Sequence, residues 1–86
     1  LNNRKQKMKA RITVTLRESV LDPQGEAIVG ALKSLAFEGI SSIRQGKVFD
    51  IVLDDQPSET AKEKLDQMCE ELLANTVIEN YTIELL

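Results

Sequence analysis

The sequence predicts an α+β fold in the order strand, helix, strand, helix, strand. It is a sheet related to the ferredoxin-like sandwich, with two helices on one face and a long, bent central strand. Three observations predict it. Apolar and polar residues alternate cleanly over residues 9–17 and a second strand-like run closes the chain, two apolar stripes recur at helical spacing between those runs, and residues 41–54 read as one extended stretch in the middle.

The first strand covers residues 9–17. Ala10, Ile12, Val14 and Leu16 face one way, with Lys9, Arg11, Thr13, Thr15 and Arg17 opposite. A short connector follows, and then Asp22 offers a side-chain oxygen as helix N-cap, with Pro23 at the first helical position, where its missing N–H costs nothing. The helix carries Ile28, Leu32, Leu35 and Ala36 on its apolar stripe, and Gly39, after Phe37, is the expected stop signal. Capping does not explain Gly25. A glycine in a first helical turn is costly relative to alanine, and together with Gly30 it predicts that another backbone comes close to this helix face.

Over residues 41–54, Ile43, Phe49, Ile51 and Leu53 share one face, with Arg44, Val48, Asp50 and Val52 on the other. Two arrangements satisfy this parity: one long strand bulged at Gly46, which we prefer, or a hairpin with Gln45, Gly46 and Lys47 as its loop. The second helix runs from about Pro57 to Ala74 on a stripe of Ala61, Leu65, Met68, Cys69, Leu72 and Leu73, and Asn75 and Thr76 close it. In the last strand, residues 77–86, Val77, Tyr81, Ile83 and Leu85 oppose Ile78, Asn80, Thr82, Glu84 and Leu86.

Residues 1–7 are polar and basic without periodicity and predict a disordered tail, with Met8 as a candidate natural start; residues 8–86 then form a single domain. A domain this small buries only about 60% of its unfolded surface, so its own core is thin. No run is long enough to cross a bilayer and nothing resembles a secretory signal, so the expected location is the cytoplasm.

With net charge −3, a pI near 4.9 and three scattered aromatic residues, the chain has neither the basic footprint nor the stacking platform of a nucleic-acid binder. There is no histidine, and the single cysteine, Cys69, is followed by Glu70 and Glu71, which disfavour a thiolate. No nucleophile–base pair, metal ligand set, P-loop or dinucleotide fingerprint can be assembled. No catalytic, cofactor-binding or metal-binding residue is therefore expected.

Two clusters remain as candidate recognition sites. One is the helix start at Asp22, Pro23 and Gly25, which reads either as an anion or backbone-docking site or as simple capping. The other is Arg44, Gly46 and Lys47, which reads as solvated or partner-bound charge, or as a phosphate site. The face of the sheet away from the helices should be polar in a monomer, yet Val48, Val52, Ile78 and Leu86 fall there. At about 25 cal/mol per Å² of apolar surface, covering such a patch contributes many kcal/mol before association entropy is subtracted. The expectation is a homo-oligomer, a dimer or tetramer, joined through these four residues.

Four strings in fixed order complete the reading: Val-Leu-Asp-Pro-Gln-Gly at 20–25, Ile-Arg-Gln-Gly-Lys at 43–47, Met-Cys-Glu-Glu-Leu-Leu-Ala-Asn at 68–75 and Val-Ile-Glu-Asn-Tyr at 77–81. Together they resemble the small PurS-type subunit of phosphoribosylformylglycinamidine synthase, over nearly everything from Met8 to Leu86. Thr76 and Asn80 depart from that family's more usual Pro and Asp. The resemblance implies a non-catalytic subunit in de novo purine synthesis, where formylglycinamide ribonucleotide, glutamine and ATP give the amidine, glutamate, ADP and phosphate. It implies that a large synthetase subunit uses ATP and Mg, that a glutaminase subunit releases ammonia, and that the small subunit bridges the two and assists ammonia transfer. By the same resemblance Arg44, Gly46, Lys47, Asp22, Pro23 and Gly25 become docking candidates. A ferredoxin-like regulatory module that binds a small metabolite at a dimer interface is the alternative.

Overall fold

The computed structural model describes residues 6–86. The element order is β1 (Lys7–Leu16), α1 (Pro23–Ser34), β2 (Gly46–Asp54), α2 (Ser58–Met68) continued by a π-helical turn (Cys69–Leu73), and β3 (Glu79–Leu85). This is the predicted strand and helix sequence. β1 starts at Lys7, so the predicted tail over residues 1–7 meets the sheet at its last residue; residues 1–5 lie outside the described residues.

The strands form an antiparallel sheet in the order β2-β1-β3. The strand that is central in sequence is thus an edge strand in space, and β1 takes the middle. Its residues explain why: Ala10, Ile12 and Val14 are fully buried, which a strand paired on both sides allows and an edge strand does not. Ala10 stands opposite Ile51 and Leu85, Ile12 opposite Phe49 and Ile83, and Val14 opposite Lys47 and Tyr81. These rows make the inner face that α2 covers with Leu65 and Cys69, both fully buried. Truncating a core leucine of this kind costs about 2–5 kcal/mol.

Helix α2 departs from the predicted stripe in its last turn. The Ala74 N–H reaches the Cys69 carbonyl at 3.0 Å, five residues back, which widens the turn and shifts its phase. Leu73 therefore turns toward the core, whereas Leu72, placed in the core stripe by sequence, is 83% exposed. The following turn forms with Thr76 in it: Asn75 Oδ1 accepts from the Val77 N–H at 3.2 Å, and Arg17 donates to the Thr76 carbonyl at 2.7 Å.

Helix α1 behaves differently from α2. The two helices do not share a sheet face within one chain, because α1 packs against residues 41–44 and makes hardly any contact with the strands. The physical reason is the straight run from residue 41 into β2. Without a turn at Gly46, the segment and its helix continue beyond the end of the sheet. Of the two arrangements for residues 41–54 the structure has no hairpin, and the paired strand begins only at Gly46. The radius of gyration is 17.8 Å, where a compact chain of this length would have about 12 Å. α1 also ends earlier than expected. Ala36, with φ 71°, takes the left-handed position, Phe37 N–H bonds to the Leu32 carbonyl and Ala36 N–H to the Lys33 carbonyl, both at 3.0 Å. Gly39, also at positive φ, lies beyond this stop.

Candidate functional site

Most of the recognition candidates meet at the root of the arm formed by α1 and its return segment. Asp22 is 6% exposed and uses both carboxylate oxygens: Oδ1 accepts from the Gly25 N–H at 3.0 Å, as an N-cap, and Oδ2 accepts from the Gln45 N–H at 2.7 Å. These bonds, Gln45 first, hold its carboxyl below the usual carboxylate range against the opposing effect of burial, and the charge of Arg44 adds to them. Gly25 is buried, and a Cβ there would lie 1.9 Å from the Ile43 carbonyl oxygen. The close backbone approach expected from this glycine is therefore present. At Gly30, by contrast, a Cβ would meet nothing within 4 Å.

Arg44 reaches back across the root. Its Nη2 donates to the carbonyls of Arg17 at 2.9 Å and Val20 at 2.7 Å, pinning the connector between β1 and α1. A Cβ on Gly46 would sit 2.7 Å from the Val14 carbonyl oxygen, so this position also requires close backbone passage. Lys47 is exposed and its Nζ stands 3.9 Å from Glu79 Oε2, while Pro23 is exposed at the helix start. Sequence reasoning singled out Asp22, Gly25, Arg44 and Gly46 without seeing that they tie the arm to the sheet. It missed Gln45 and Glu79, whose parts are set by a backbone N–H and by a contact across the sheet. Between α1 and residues 41–44 lies a groove of about 350 Å³, lined by Leu21, Val29, Gly30, Lys33 and Arg44 among others.

The outer sheet face is the second candidate. Val48, Val52 and Leu86 are 57%, 61% and 62% exposed, and Ile78 sits at 37% in the turn before β3. Across the middle of this face runs a charged row, Asp50–Arg11–Glu84, in which Arg11 Nε donates to Asp50 at 2.8 Å. Lys7 pairs with Asp54 at 2.6 Å. Each ion pair joins residues directly opposite in the register, and so favours this alignment over a slipped one.

On the inner side, the Tyr81 hydroxyl lies 2.5 Å from Asp66 Oδ1 and 2.7 Å from Glu70 Oε2. The two carboxylates hold the phenol well above the ordinary tyrosine range, because a phenolate there would lose the single proton that the hydroxyl shares with Asp66 first and Glu70 second, and would face two like charges. Nothing in the sequence spacing alone brings Tyr81 to this helix. Cys69 is buried, and burial, with Asp66 and Glu70 adding, pushes its thiol up, away from reactivity. Among the described residues no group of three His, Cys, Asp or Glu side chains is placed to hold a metal, and no helix is long and apolar enough to cross a membrane.

An open apolar sheet face and a rigid arm that lies off its own sheet are features of an α+β subunit made for assembly, more than of a self-contained domain. Comparison with known proteins gives that class a family. The family model described as PurS, phosphoribosylformylglycinamidine (FGAM) synthase, matches residues 9–86. The PurS subunit of Synechocystis is 51% identical over 75 residues, 87% of this chain and 75% of that protein. The Mycobacterium leprae PurS subunit is 49% identical, covering 87% of this chain and 91% of that one. Among solved structures, the PurLQS structure from Thermotoga maritima contains a chain that matches with TM-score 0.85 at 33% identity, over 94% of this chain and 99% of that one. Methanocaldococcus jannaschii PurS, described as a subunit of formylglycinamide ribonucleotide amidotransferase in the purine biosynthetic pathway, matches with TM-score 0.82 at 35% identity, over 92% and 95%. The chain belongs to the PurS family of phosphoribosylformylglycinamidine synthase subunits.

Proposed function

We propose that this chain is the small subunit that bridges a large ATP- and Mg-using synthetase subunit and a glutaminase subunit of phosphoribosylformylglycinamidine synthase, in the cytoplasm, holding no cofactor of its own. The likeness to a chain of the PurLQS structure, over nearly the full length of both, is the observation that carries this reading. In it the chain makes no bonds. It self-associates as a dimer or tetramer through Val48, Val52, Ile78 and Leu86, and it presents the arm root, with Pro23 and Lys47 outermost, to the partners. Asp22, Gly25, Arg44 and Gly46 serve this docking indirectly, by fixing the shape of that surface. Bridging also keeps the glutaminase close enough to the synthetase for ammonia to pass between them.

Light scattering on a sizing column tests the reading, first on the chain alone and then with the synthetase and glutaminase subunits of the same organism, with glutamine and Mg-ADP present. The expected result is an oligomer that enters a three-component complex. Elution unchanged beside both subunits, with and without those ligands, overturns it. Val48→Asp with Val52→Asp should lower the mass of the isolated chain to that of a monomer; an unchanged mass would remove the outer face as the interface.

A further inference from the structure

We infer that the outer edge of β3 pairs with an extended, basic segment of a partner subunit, which adds a fourth strand to the sheet. This rests on the assembly proposed above and names a contact on a different part of the chain from the arm root. In the order β2-β1-β3, β3 has a neighbour on one side only. Its register with β1 is unbroken from Leu16 opposite Glu79 to Ala10 opposite Leu85. The Arg17 N–H donates to the Ile78 carbonyl and the Leu86 N–H to the Lys9 carbonyl, both at 2.9 Å, so the even-numbered residues of this strand turn their backbone groups toward β1. Tyr81, Ile83 and Leu85 therefore turn theirs outward, where no other strand of the described residues lies. The Glu79 N–H is used locally, on the Asn75 carbonyl at 2.8 Å. What remains is an open ladder of N–H and C=O groups along the edge.

Strand edges of this kind are ordinarily closed to other chains by proline, lysine, a bulge or a covering loop. β3, Glu-Asn-Tyr-Thr-Ile-Glu-Leu, has neither proline nor lysine, and its register has no bulge. The charge around it says what it accepts. Glu59, Glu63, Asp66 and Glu70 follow one another at helical spacing on a single stripe of α2 and its π-helical turn, and the bonds of Asp66 and Glu70 to the Tyr81 hydroxyl place that stripe over β3. From Leu65 to Leu86 every charged residue is acidic, with no lysine or arginine among them. Two β3 edges brought together would set like charges against each other, which argues against a second copy as the occupant. A strand with lysine or arginine on the α2 side meets carboxylates instead, and its backbone completes the ladder. The other edge, β2, is mixed in charge, with Lys47 as well as Asp50 and Asp54, and selects no partner in this way.

The test is hydrogen exchange resolved to single amides, by mass spectrometry with electron-transfer fragmentation. It is run on the chain alone and on its complex with the synthetase and glutaminase subunits, with glutamine and Mg-ADP present. In the complex the amides of Tyr81, Ile83 and Leu85 should exchange at least about tenfold more slowly, while those of Asn80, Thr82 and Glu84, already bonded to β1, change little. Equal slowing of both sets, or no slowing at Tyr81, Ile83 and Leu85 in a complex that light scattering shows to have formed, would overturn the pairing and leave the bridging role intact. Slow exchange at these three amides in the isolated chain would overturn it in favour of a second copy. Failure to form any complex would remove the bridging role and the pairing together. Glu63→Lys reverses one charge of the acidic stripe and should weaken assembly about fivefold; unchanged affinity would overturn the basic occupant.

Discussion

Gly25→Ala should weaken the fold, although the same change in most helices would strengthen it. The added Cβ would stand 1.9 Å from the oxygen and 2.9 Å from the carbon of the Ile43 carbonyl, and 3.2 Å from Asp22 Oδ2. An ordinary contact begins at about 3.4 Å, so residue 43 has to retreat by about 1.5 Å, more than the 2.7 Å bond between Gln45 and Asp22 can follow. Forcing a methyl into a filled space costs about 1–3 kcal/mol, and because the obstacle is backbone the upper figure applies. Alanine's helical advantage offsets about 1 kcal/mol of this. The net expectation is a loss of about 2 kcal/mol. Gly30→Ala is the control: nothing in the chain lies within 4 Å of its Cβ, so the isolated chain should gain up to about 1 kcal/mol. Urea unfolding followed by circular dichroism, at one fixed chain concentration because self-association shifts apparent stability, reads both. A Gly25→Ala midpoint at or above that of the parent would refute the close packing of α1 on its return segment.

Three further outcomes follow from the same geometry. Ala36→Gly should raise stability by about 1 kcal/mol in urea unfolding, since Ala36 sits at φ 71°, where an L side chain is disfavoured. Arg44→Lys should not replace arginine: one ammonium on a flexible stem does not reproduce the guanidinium held on both the Arg17 and Val20 carbonyls, and we expect about 1 kcal/mol lost, with faster amide exchange over residues 17–22. Tyr81, the only tyrosine in the chain, can be titrated alone by its ultraviolet absorbance. It should ionise above the free value of about 10, and its raised folded pKa means that its contribution to stability is present below pH 10 and fades as the pH rises through the folded pKa. Asp66→Asn or Glu70→Gln should bring that titration down; no movement in either variant would refute the hydrogen bonding.

The parts of the fold legible in the sequence are those with a local cause. Period-two alternation placed Ala10, Ile12 and Val14 on one face with Phe49, Ile51, Tyr81 and Ile83, and the structure packs them together. Asp22 followed by Pro23 marked the helix start because capping depends on neighbours in the chain. What pattern could not decide was set over distance or by competition. Leu72 left the core because a π-helical turn changed the phase after Cys69, and Ala36 stopped α1 before Gly39 because the Phe37 and Ala36 N–H groups found carbonyls there first. The choice between hairpin and straight passage at Gly46 was invisible because both keep Ile43 and Phe49 in phase. That choice decides where α1 lies, so the position of a whole helix hung on a turn that parity cannot report.

The strings that make the family resemblance readable have a physical interpretation in this light. Val-Leu-Asp-Pro-Gln-Gly and Ile-Arg-Gln-Gly-Lys lie about twenty residues apart in the chain and interlock at the arm root through Asp22 to Gln45, Gly25 to Ile43 and Arg44 to Val20. Each contact needs one residue type: a carboxylate with two oxygens to bridge two N–H groups, a residue without Cβ, and a donor long enough to span the connector to Val20. Such a root fixes the direction of α1 relative to the sheet without using any of the helix's apolar surface. Leu35 and Phe37 remain available, held in one orientation before any partner arrives, and an interface built from preorganised surface loses less conformational freedom on association than one that must first order a loose helix. Four of the six residues read as docking candidates, Asp22, Gly25, Arg44 and Gly46, are therefore occupied in shaping the root, which leaves Pro23 and Lys47 of the six exposed beside it.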